Sequence, residues 1–448
     1  MAIDMTYRES LAYLNQFVNY EVRPPTPSDT KAFHLAEFDR FLDTLGAPHR
    51  TFPSILIAGS KGKGSTAAML AAMLAQAGMR TGLYTSPHLV TIRERVQVDR
   101  QLINQQAFAT LMSDLRRHLE QIQARPAQNF RTFFELLTAL AFCYFARQQV
   151  DIAVVEVGLG GRLDSTNVLP ALLSVITPIG FEHTHILGDT LSAIASEKAG
   201  IIKPNGSVIV APQEAEVLEV FDKRCQLRQA SSYLAQRDFT CSTRQTTAEG
   251  SLIDFSGFGL DLRRLPVPLI GQHQVTNAAV ALAAVGFLRQ QGWPLDEHDI
   301  RQGLASVSWP GRLEIIDRMP CVVLDAAHTV ESARCLATSL ATLFTYQRLH
   351  LILGFSKDKK ITPMVDLLAP MADTAIATGF SNPRAFDPHR LTGILRSHCK
   401  HVYTCEDPIS ALAYARTLAK PDDLICMTGS LILLGELKSR LAGLALEF

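Results

Sequence analysis

The stretch Ser54-Ile-Leu-Ile-Ala-Gly-Ser-Lys-Gly-Lys-Gly-Ser-Thr66 decides how this chain of 448 residues is read. Ser54-Ile-Leu-Ile-Ala58 is apolar and β-leaning, the next residues are rich in glycine, and Ala67-Ala-Met-Leu-Ala-Ala-Met-Leu-Ala-Gln-Ala77 has strongly helical composition. Strand, glycine-rich loop and helix in that order predict an anion site. The glycines let backbone N–H groups face a phosphate, the helix N-terminus favours negative charge, Lys63 reaches the outer phosphates, and Ser65 or Thr66 suits a magnesium ion. The loop departs from the common phosphate-loop pattern because Gly64 separates the lysine from the hydroxyl residues.

Outward from this stretch, further apolar runs alternate with helical patterns: Asp151-Ile-Ala-Val-Val-Glu-Val157, Leu173-Ser-Val-Ile-Thr177, Ser207-Val-Ile-Val-Ala211, Cys321-Val-Val-Leu-Asp325, His350-Leu-Ile-Leu-Gly354, Thr374-Ala-Ile-Ala-Thr378 and Leu424-Ile-Cys-Met-Thr428. Such runs read as parallel strands buried on both faces, which predicts the α/β class. Residues 222–268 turn polar and β-leaning, and are expected to form an antiparallel insertion or edge. The proline and glycine of Ser308-Trp-Pro-Gly-Arg312 mark a linker, predicting a first domain over 1–308, a linker at 309–312 and a second domain over 313–448.

Composition narrows the function. Lys and Arg (43) balance Asp and Glu (43), so no overall field attracts nucleic acid or anionic lipid. At 47% hydrophobic and 19% charged residues, the chain has globular rather than disordered composition. No apolar stretch approaches the roughly 18–20 residues of a membrane span, and the first ten residues lack a basic segment followed by an apolar one, so a cytoplasmic location is expected. The eight cysteines show no Cys-x-x-Cys pair and signal neither a zinc site nor a disulfide framework.

Several residues carry chemistry by position. Glu156 ends an otherwise buried strand, where α/β sheets place ligands and an unpaired charge is costly; a metal, a basic partner or a structural ion pair would each account for it. With a hydroxyl such as Ser65 or Ser86, it suffices for an oxygen-coordinated magnesium whose shell phosphates and waters complete. Gly158-Leu-Gly-Gly-Arg-Leu-Asp-Ser-Thr-Asn167 lacks the third glycine of a dinucleotide turn and reads as a ligand-approaching or surface loop. His183 and His185 follow another strand end, and Lys198, taken alone, reads as a solvated cation paired with a carboxylate. Farther on, Asn277 suits a base edge, Arg312 a phosphate and Asp325 a ribose, although each also reads as a cap, turn or ion-pair residue.

In this order, Ala58-Gly-Ser-Lys-Gly-Lys-Gly-Ser-Thr66, Tyr84-Thr-Ser-Pro-His-Leu89, Glu156-Val-Gly-Leu-Gly-Gly-Arg-Leu-Asp-Ser-Thr-Asn167, Glu182-His-Thr184, Glu197-Lys-Ala-Gly-Ile201, Gly271-Gln-His-Gln274, Trp309-Pro-Gly-Arg312, Asp325-Ala-Ala-His328 and Asn382-Pro-Arg-Ala385 resemble the folylpolyglutamate synthase / dihydrofolate synthase family of the Mur ligase superfamily. The resemblance runs from about residue 30 to the end of the sequence, and Gly64 resembles the folate branch, since cell-wall Mur ligases usually carry threonine or serine there. It implies a phosphate-loop ATPase domain followed by a smaller Rossmann-like domain, and an ATP-driven amide bond: a pterin carboxylate takes the γ-phosphoryl group, and the amino group of L-glutamate displaces phosphate. Whether the pterin substrate is dihydropteroate, a reduced folate or both stays open.

The resemblance also implies roles. Gly59, Ser60, Lys61, Gly62, Lys63, Gly64, Ser65 and Thr66 would form the ATP-phosphate loop, with Asn277, Arg312 and Asp325 on the nucleotide and His328 beside the same site. Ser86, Glu156 and His183 would hold one Mg2+, and Lys198, carbamylated, a second; Lys63, Lys198, His183 and His328 would be the catalytic set. Thr132, Phe133, Phe134, Leu163, Asp164 and Ser165 would touch the pterin. Small molecules are the implied partners of a monomer, with no nucleic acid and no membrane. Four departures stand out: Ser60-Lys61 for Thr-Asn, Glu182 for aspartate, Thr329 for asparagine, and Lys359-Lys360 for Lys-Asp. Alternatives are a Mur-type ligase acting on a different carboxylate, against which Gly64 and Ser86-Pro-His88 speak, and a non-catalytic nucleotide-binding module, against which Glu156, His183 and Lys198 together speak.

Overall fold

A computed structural model describes residues 4–21, 35–123 and 132–447. The first sheet has eight strands: β1 (Ser54–Ala58), β2 (Thr81–Tyr84), β3 (Val96–Val98), β4 (Gln101–Leu102), β5 (Ile152–Glu156), β6 (Leu173–Ile176), β7 (Ser207–Val210) and β8 (Ser231–Leu234), in the order β4-β3-β2-β5-β1-β6-β7-β8. The pairs from β2 to β8 are parallel, while β3 and β4 form an antiparallel edge. Alternation along the pleat explains why β1 is wholly buried and apolar after Ser54. Ile55 and Ile57 enter one core with the helix Lys63–Gln76, whereas Leu56 and Ala58 enter the other with the helix Phe133–Gln148.

The segment 222–268, expected to be antiparallel throughout, is divided. Its first residues complete the helix Ala215–Arg228, β8 joins the first sheet in parallel, and only β9 (Phe239–Thr247), β10 (Gly250–Gly257) and β11 (Leu260–Val267) form a separate antiparallel sheet. Between that sheet and the first lies the helix Gln272–Gln290. Its residues from Ala278 to Leu288 are buried on every side, so its alanines serve close packing rather than an amphipathic stripe.

The third sheet orders β12 (Glu314–Arg318), β13 (Cys321–Asp325), β17 (Leu424–Thr428), β14 (Leu349–Leu353), β15 (Thr374–Thr378) and β16 (His401–Cys405), with only β12 antiparallel. Its two faces feed two clusters, Val323, Leu351 and Cys426 on one side and Val322, Ile352 and Met427 on the other. The eight apolar runs read from the sequence are β1, β5, β6, β7, β13, β14, β15 and β17. The molecule is a two-domain α/β protein with mainly parallel sheets, and none of its described helices is long and apolar enough to cross a membrane.

Strand order positions the site. From β1 the chain crosses toward β2, whereas from the adjacent β6 it proceeds toward β7, so the connections diverge at the carboxyl ends of two neighbouring strands. That divergence opens a crevice where α/β sheets place ligands, and the glycine-rich loop begins there.

Candidate functional site

The loop is pinned to the segment after β6. Ser60 and Lys61 donate their N–H groups to the Pro178 carbonyl at 3.0 and 3.3 Å, and the Ser60 hydroxyl donates to the Gly180 carbonyl at 2.9 Å. At Gly59 a Cβ would lie 1.8 Å from Thr177 Oγ1, so the close approach of the two strand ends requires glycine. Gly62, at φ 83°, caps the helix Lys63–Gln76, and a Cβ there would lie 2.1 Å from Asn277 Oδ1. Asn277 therefore sits directly on the loop although 215 residues separate the two, and its amide donates to Gln274 Oε1 at 2.9 Å. Lys63 folds back so that Nζ donates to the Gly59 carbonyl at 3.1 Å. An unshielded helix start beneath an ammonium group makes an anion cradle.

Two carboxylates and a second lysine stand beside it. Glu156 is 5% exposed and accepts the Ser86 N–H through Oε2 at 3.1 Å; burial raises its pKa, with Lys63 opposing most strongly. Lys198, read from the sequence as a solvated cation, is instead 1% exposed. The fold places it inside because the helix Leu191–Lys198 ends against the loop, where Nζ donates to the Gly59 carbonyl at 2.9 Å and to Glu182 Oε1 at 2.5 Å. Burial pushes the Lys198 ammonium down to about 8, against the pull of Glu182. Burial alone would raise Glu182, but Lys63 and Lys198 outweigh it and hold that carboxyl below its ordinary value.

The donors gathered here suit a hard divalent cation. Glu156 is a buried carboxylate, Ser65 lines the cleft, Ser86 gives its N–H to Glu156, and the buried Thr66 Oγ1 has no hydrogen-bond partner among the described residues. His183 lines the same cleft at φ 44°, ahead of the short helix Thr184–Leu187, and is exposed there.

The third sheet supplies the opposite wall. Arg312 enters the cleft between Gly311 and β12, while both oxygens of Asp325 accept backbone N–H groups, from Leu313 at 2.9 Å and Ala327 at 2.9 Å. The turn reading of Asp325 is therefore realised, and its remaining lone pairs are what it can offer a ligand. His328 donates Nδ1–H to the Ala326 carbonyl at 2.7 Å, leaving Nε2 as an acceptor; burial pushes its pKa down to about 4. Two departures noted in the sequence meet: Lys61 Nζ donates to Thr329 Oγ1 at 3.3 Å, across the gap between the domains.

The aromatic end is selective. The Thr132 hydroxyl is absorbed in a capping box with Glu135, and the Phe133 ring is buried with the Arg95 guanidinium 5.7 Å from its centroid. Phe134 alone of the three is a half-buried ring lining the cleft, 6.0 Å from Tyr84 and so close over Gly158 that a Cβ there would lie 2.6 Å from it. Asp164 is likewise committed, accepting from Thr166 N at 3.0 Å, Thr166 Oγ1 at 2.5 Å and Leu159 N at 2.9 Å; it shapes the loop that presents Leu163 and Ser165. Phe134→Ala is expected to raise KM for an aromatic substrate about 10-fold with little change in KM for ATP, checked by steady-state assay.

A single cleft of about 1890 Å3 joins these walls, and Lys63, Glu156, Arg312, His328 and Phe134 all line it. Trp309, read from the sequence only as part of the linker motif, packs so close to Gly64 that a Cβ there would lie 2.9 Å from its ring, and Glu182, noted only as a departure, is the counter-ion of Lys198.

Residues 57–285 match the Mur ligase middle domain, and residues 311–431 match the Mur ligase glutamate ligase domain. The chain is 31% identical to the dihydrofolate synthase/folylpolyglutamate synthase of Bacillus subtilis over 97% of this chain and 99% of that protein. It is 33% identical to the folylpolyglutamate synthase of Lacticaseibacillus casei, over 98% and 99%. Against a probable bifunctional folylpolyglutamate synthase/dihydropteroate synthase of Haloferax volcanii it is 34% identical, and spans 50% of that longer protein. The crystal structures of the Mycobacterium tuberculosis folylpolyglutamate synthase complexed with ADP and AMPPCP superpose with a TM-score of 0.87 at 34% identity, covering 98% of this chain and 100% of that one. Escherichia coli FolC in complex with DHPP and ADP gives 0.83 at 29% identity, covering 98% of each. The glycine-rich loop, the cleft between two α/β domains and these matches lead to one conclusion: the chain belongs to the folylpolyglutamate synthase/dihydrofolate synthase family of Mur ligases.

Proposed function

We propose that the protein joins L-glutamate to a pterin carboxylate, dihydropteroate or a reduced folate, by transferring the γ-phosphoryl group of ATP to that carboxylate. The carrying observation is the single cleft with the loop and Lys63 on one wall, Arg312 and His328 on the other, and the Phe134 ring in it. A carboxylate is a poor electrophile; as an acyl phosphate it has a good leaving group, and the glutamate amine forms the amide as phosphate departs. Catalysis then rests on position and charge.

In this reading the loop from Gly59 to Thr66 cradles the phosphates, Lys63 and Arg312 neutralise developing charge, and Asn277 and Asp325 lie toward the nucleoside. Phe134, Leu163 and Ser165 form the contact surface for the pterin, with Thr132, Phe133 and Asp164 supporting it from behind. His328 offers Nε2 as a proton acceptor in the cleft. Ser86, Glu156 and His183 would hold a magnesium ion, which when bound supplies further neutralisation of the phosphates. Closure of the domains excludes water, which would otherwise hydrolyse the acyl phosphate. The domain limits 1–308 and 313–448 about a 309–312 linker belong to this reading, as do a monomeric state and a cytoplasmic location.

Lys198 carries a further element of the proposal. With its ammonium pushed down to about 8, part of the amine is neutral near pH 7.5. Neutral Nζ attacks CO2, an N–C bond forms, one proton is released, and the resulting carbamate is an anionic oxygen ligand for a second metal. Lys198→Ala is expected to lose at least about tenfold in rate and to recover part of it with added formate or acetate. Full activity without those additives would exclude the carbamate.

Incubating the protein with ATP, L-glutamate and either dihydropteroate or a reduced folate monoglutamate tests the whole reading. ADP and phosphate should appear in step with the new amide, and the productive pterin defines the activity. ATP binding without ADP release for any pterin would overturn it.

A further inference from the structure

The loop 86–95 leaves β2 and returns as β3, so it belongs to the first sheet by connectivity, yet its middle is buried in the other domain. Leu89 and Val90 are 6% and 8% exposed and share a core with Val322, Leu324, Leu433 and Leu434. At the start of this loop, Ser86 donates its N–H to Glu156, the buried carboxylate beside the phosphate loop. The position of Glu156's hydrogen-bond donor is therefore tied to the packing of a second domain.

One remote residue clamps the loop. Glu447 Oε2 accepts from the Tyr7 hydroxyl at 2.7 Å, the Thr91 hydroxyl at 2.7 Å and the Ile92 N–H at 3.0 Å. Its own N–H donates to the Val90 carbonyl at 3.1 Å, and its carbonyl accepts from His88 Nε2–H at 2.8 Å. The other nitrogen of His88 accepts from Arg95 Nε at 2.8 Å, which requires the neutral Nε2–H tautomer that burial favours. Arg95 is in turn held by both oxygens of Glu21 at 2.6 Å. The successive amides of Leu89, Val90 and Thr91 are satisfied by Glu94 at 2.7, 2.9 and 2.9 Å. Beyond Ser86, two carboxylates thus hold donors of the loop's middle: Glu94 from within the loop, and Glu447 more than 350 residues away in sequence. The segment bearing Glu447 follows the helix Leu431–Leu441 and is fixed to it through Ser439, whose hydroxyl donates to the Leu444 carbonyl at 2.7 Å.

We infer that Glu447 is a positioning residue for the ligation reaction: it straps the second domain to the loop 86–95 and thereby sets Ser86 against Glu156 in the nucleotide site. It acts through Thr91, Ile92 and His88 and need touch neither ATP nor the reacting carboxylate. The inference rests on the ATP-dependent ligase reading.

Full-length Glu447→Ala and Glu447→Gln test it by steady-state kinetics and by amide hydrogen exchange with and without AMPPCP. Glu447→Ala should lower kcat/KM about tenfold and speed exchange of the amides of 88–92 by at least about tenfold. Glutamine, which keeps an acceptor oxygen, should recover part of both. Unchanged exchange at 88–92 with unchanged kinetics overturns the proposal, and so does faster exchange spread evenly over the chain, which marks general destabilisation. Should Glu447→Ala not fold, Glu447→Gln decides alone on the same two readouts. A wild-type protein that makes no amide sinks the ligase reading instead, while local exchange in the variants still reports on the strap.

Discussion

Lys63→Ala is expected to lower kcat by about 10^2–10^3-fold while leaving the fold intact. Lys63 reaches the Gly59 carbonyl at 3.1 Å, beside the start of the helix Lys63–Gln76, where the phosphates of ATP would lie. Its ammonium is also the strongest influence opposing burial at both Glu156, whose pKa burial still raises, and Glu182, which ends below its ordinary value. If Lys63 meets the transferred phosphoryl group as proposed, alanine removes a contact that would strengthen as charge develops there, so the loss should fall on kcat rather than on pterin KM. Lys198 also bonds to the Gly59 carbonyl, so the loop keeps one anchor in the variant. Thermal unfolding and ADP-release kinetics on one preparation check both halves. A turnover near wild type would remove Lys63 from the chemistry.

Glu156→Gln is expected to separate stability from activity. The carboxylate is 5% exposed at the end of β5, and its burial is unfavourable enough to raise its pKa despite Lys63 and the Ser86 N–H. Glutamine keeps the shape and an acceptor for Ser86 while removing the buried charge, so the melting temperature should stay level or rise. Ligation should fall by at least about 10^2-fold, because a neutral amide is a weak ligand for a hard cation and does not balance Lys63. The fall should deepen as free Mg2+ is lowered. Melting curves and rates over a magnesium series check this; a variant both destabilised and fully active would reverse the assignment.

Much of this was legible from local pattern. Runs such as Ile152–Glu156 and Leu424–Thr428 are wholly buried, and only strands covered on both faces tolerate such composition. The glycine-rich loop was legible because its glycines meet local demands, Gly62 at φ 83° being the N-cap of the helix that follows. The antiparallel region was misjudged at its start, where a helix ending in Arg228 and the parallel strand β8 precede β9, because polar, weakly periodic sequence does not distinguish a surface helix from an edge strand. Thr132 and Asp164 illustrate a different gap. Each sits where a ligand contact was expected, yet each spends its oxygens on capping or loop N–H groups, which a motif does not reveal.

The sequence by itself determined the α/β class, the glycine-rich strand–loop–helix and the family, all of which rest on residues adjacent in the chain. Tertiary structure alone decided that Lys198 is buried against Glu182, that Asn277 sits on Gly62, that Lys61 reaches Thr329, and that Glu447 clamps the loop at Thr91 and Ile92. Apart from the Lys198 pair, these contacts join residues more than 200 positions apart. Strand order and domain packing create them, and no local propensity encodes which distant side chain fills a given donor or relieves a given charge.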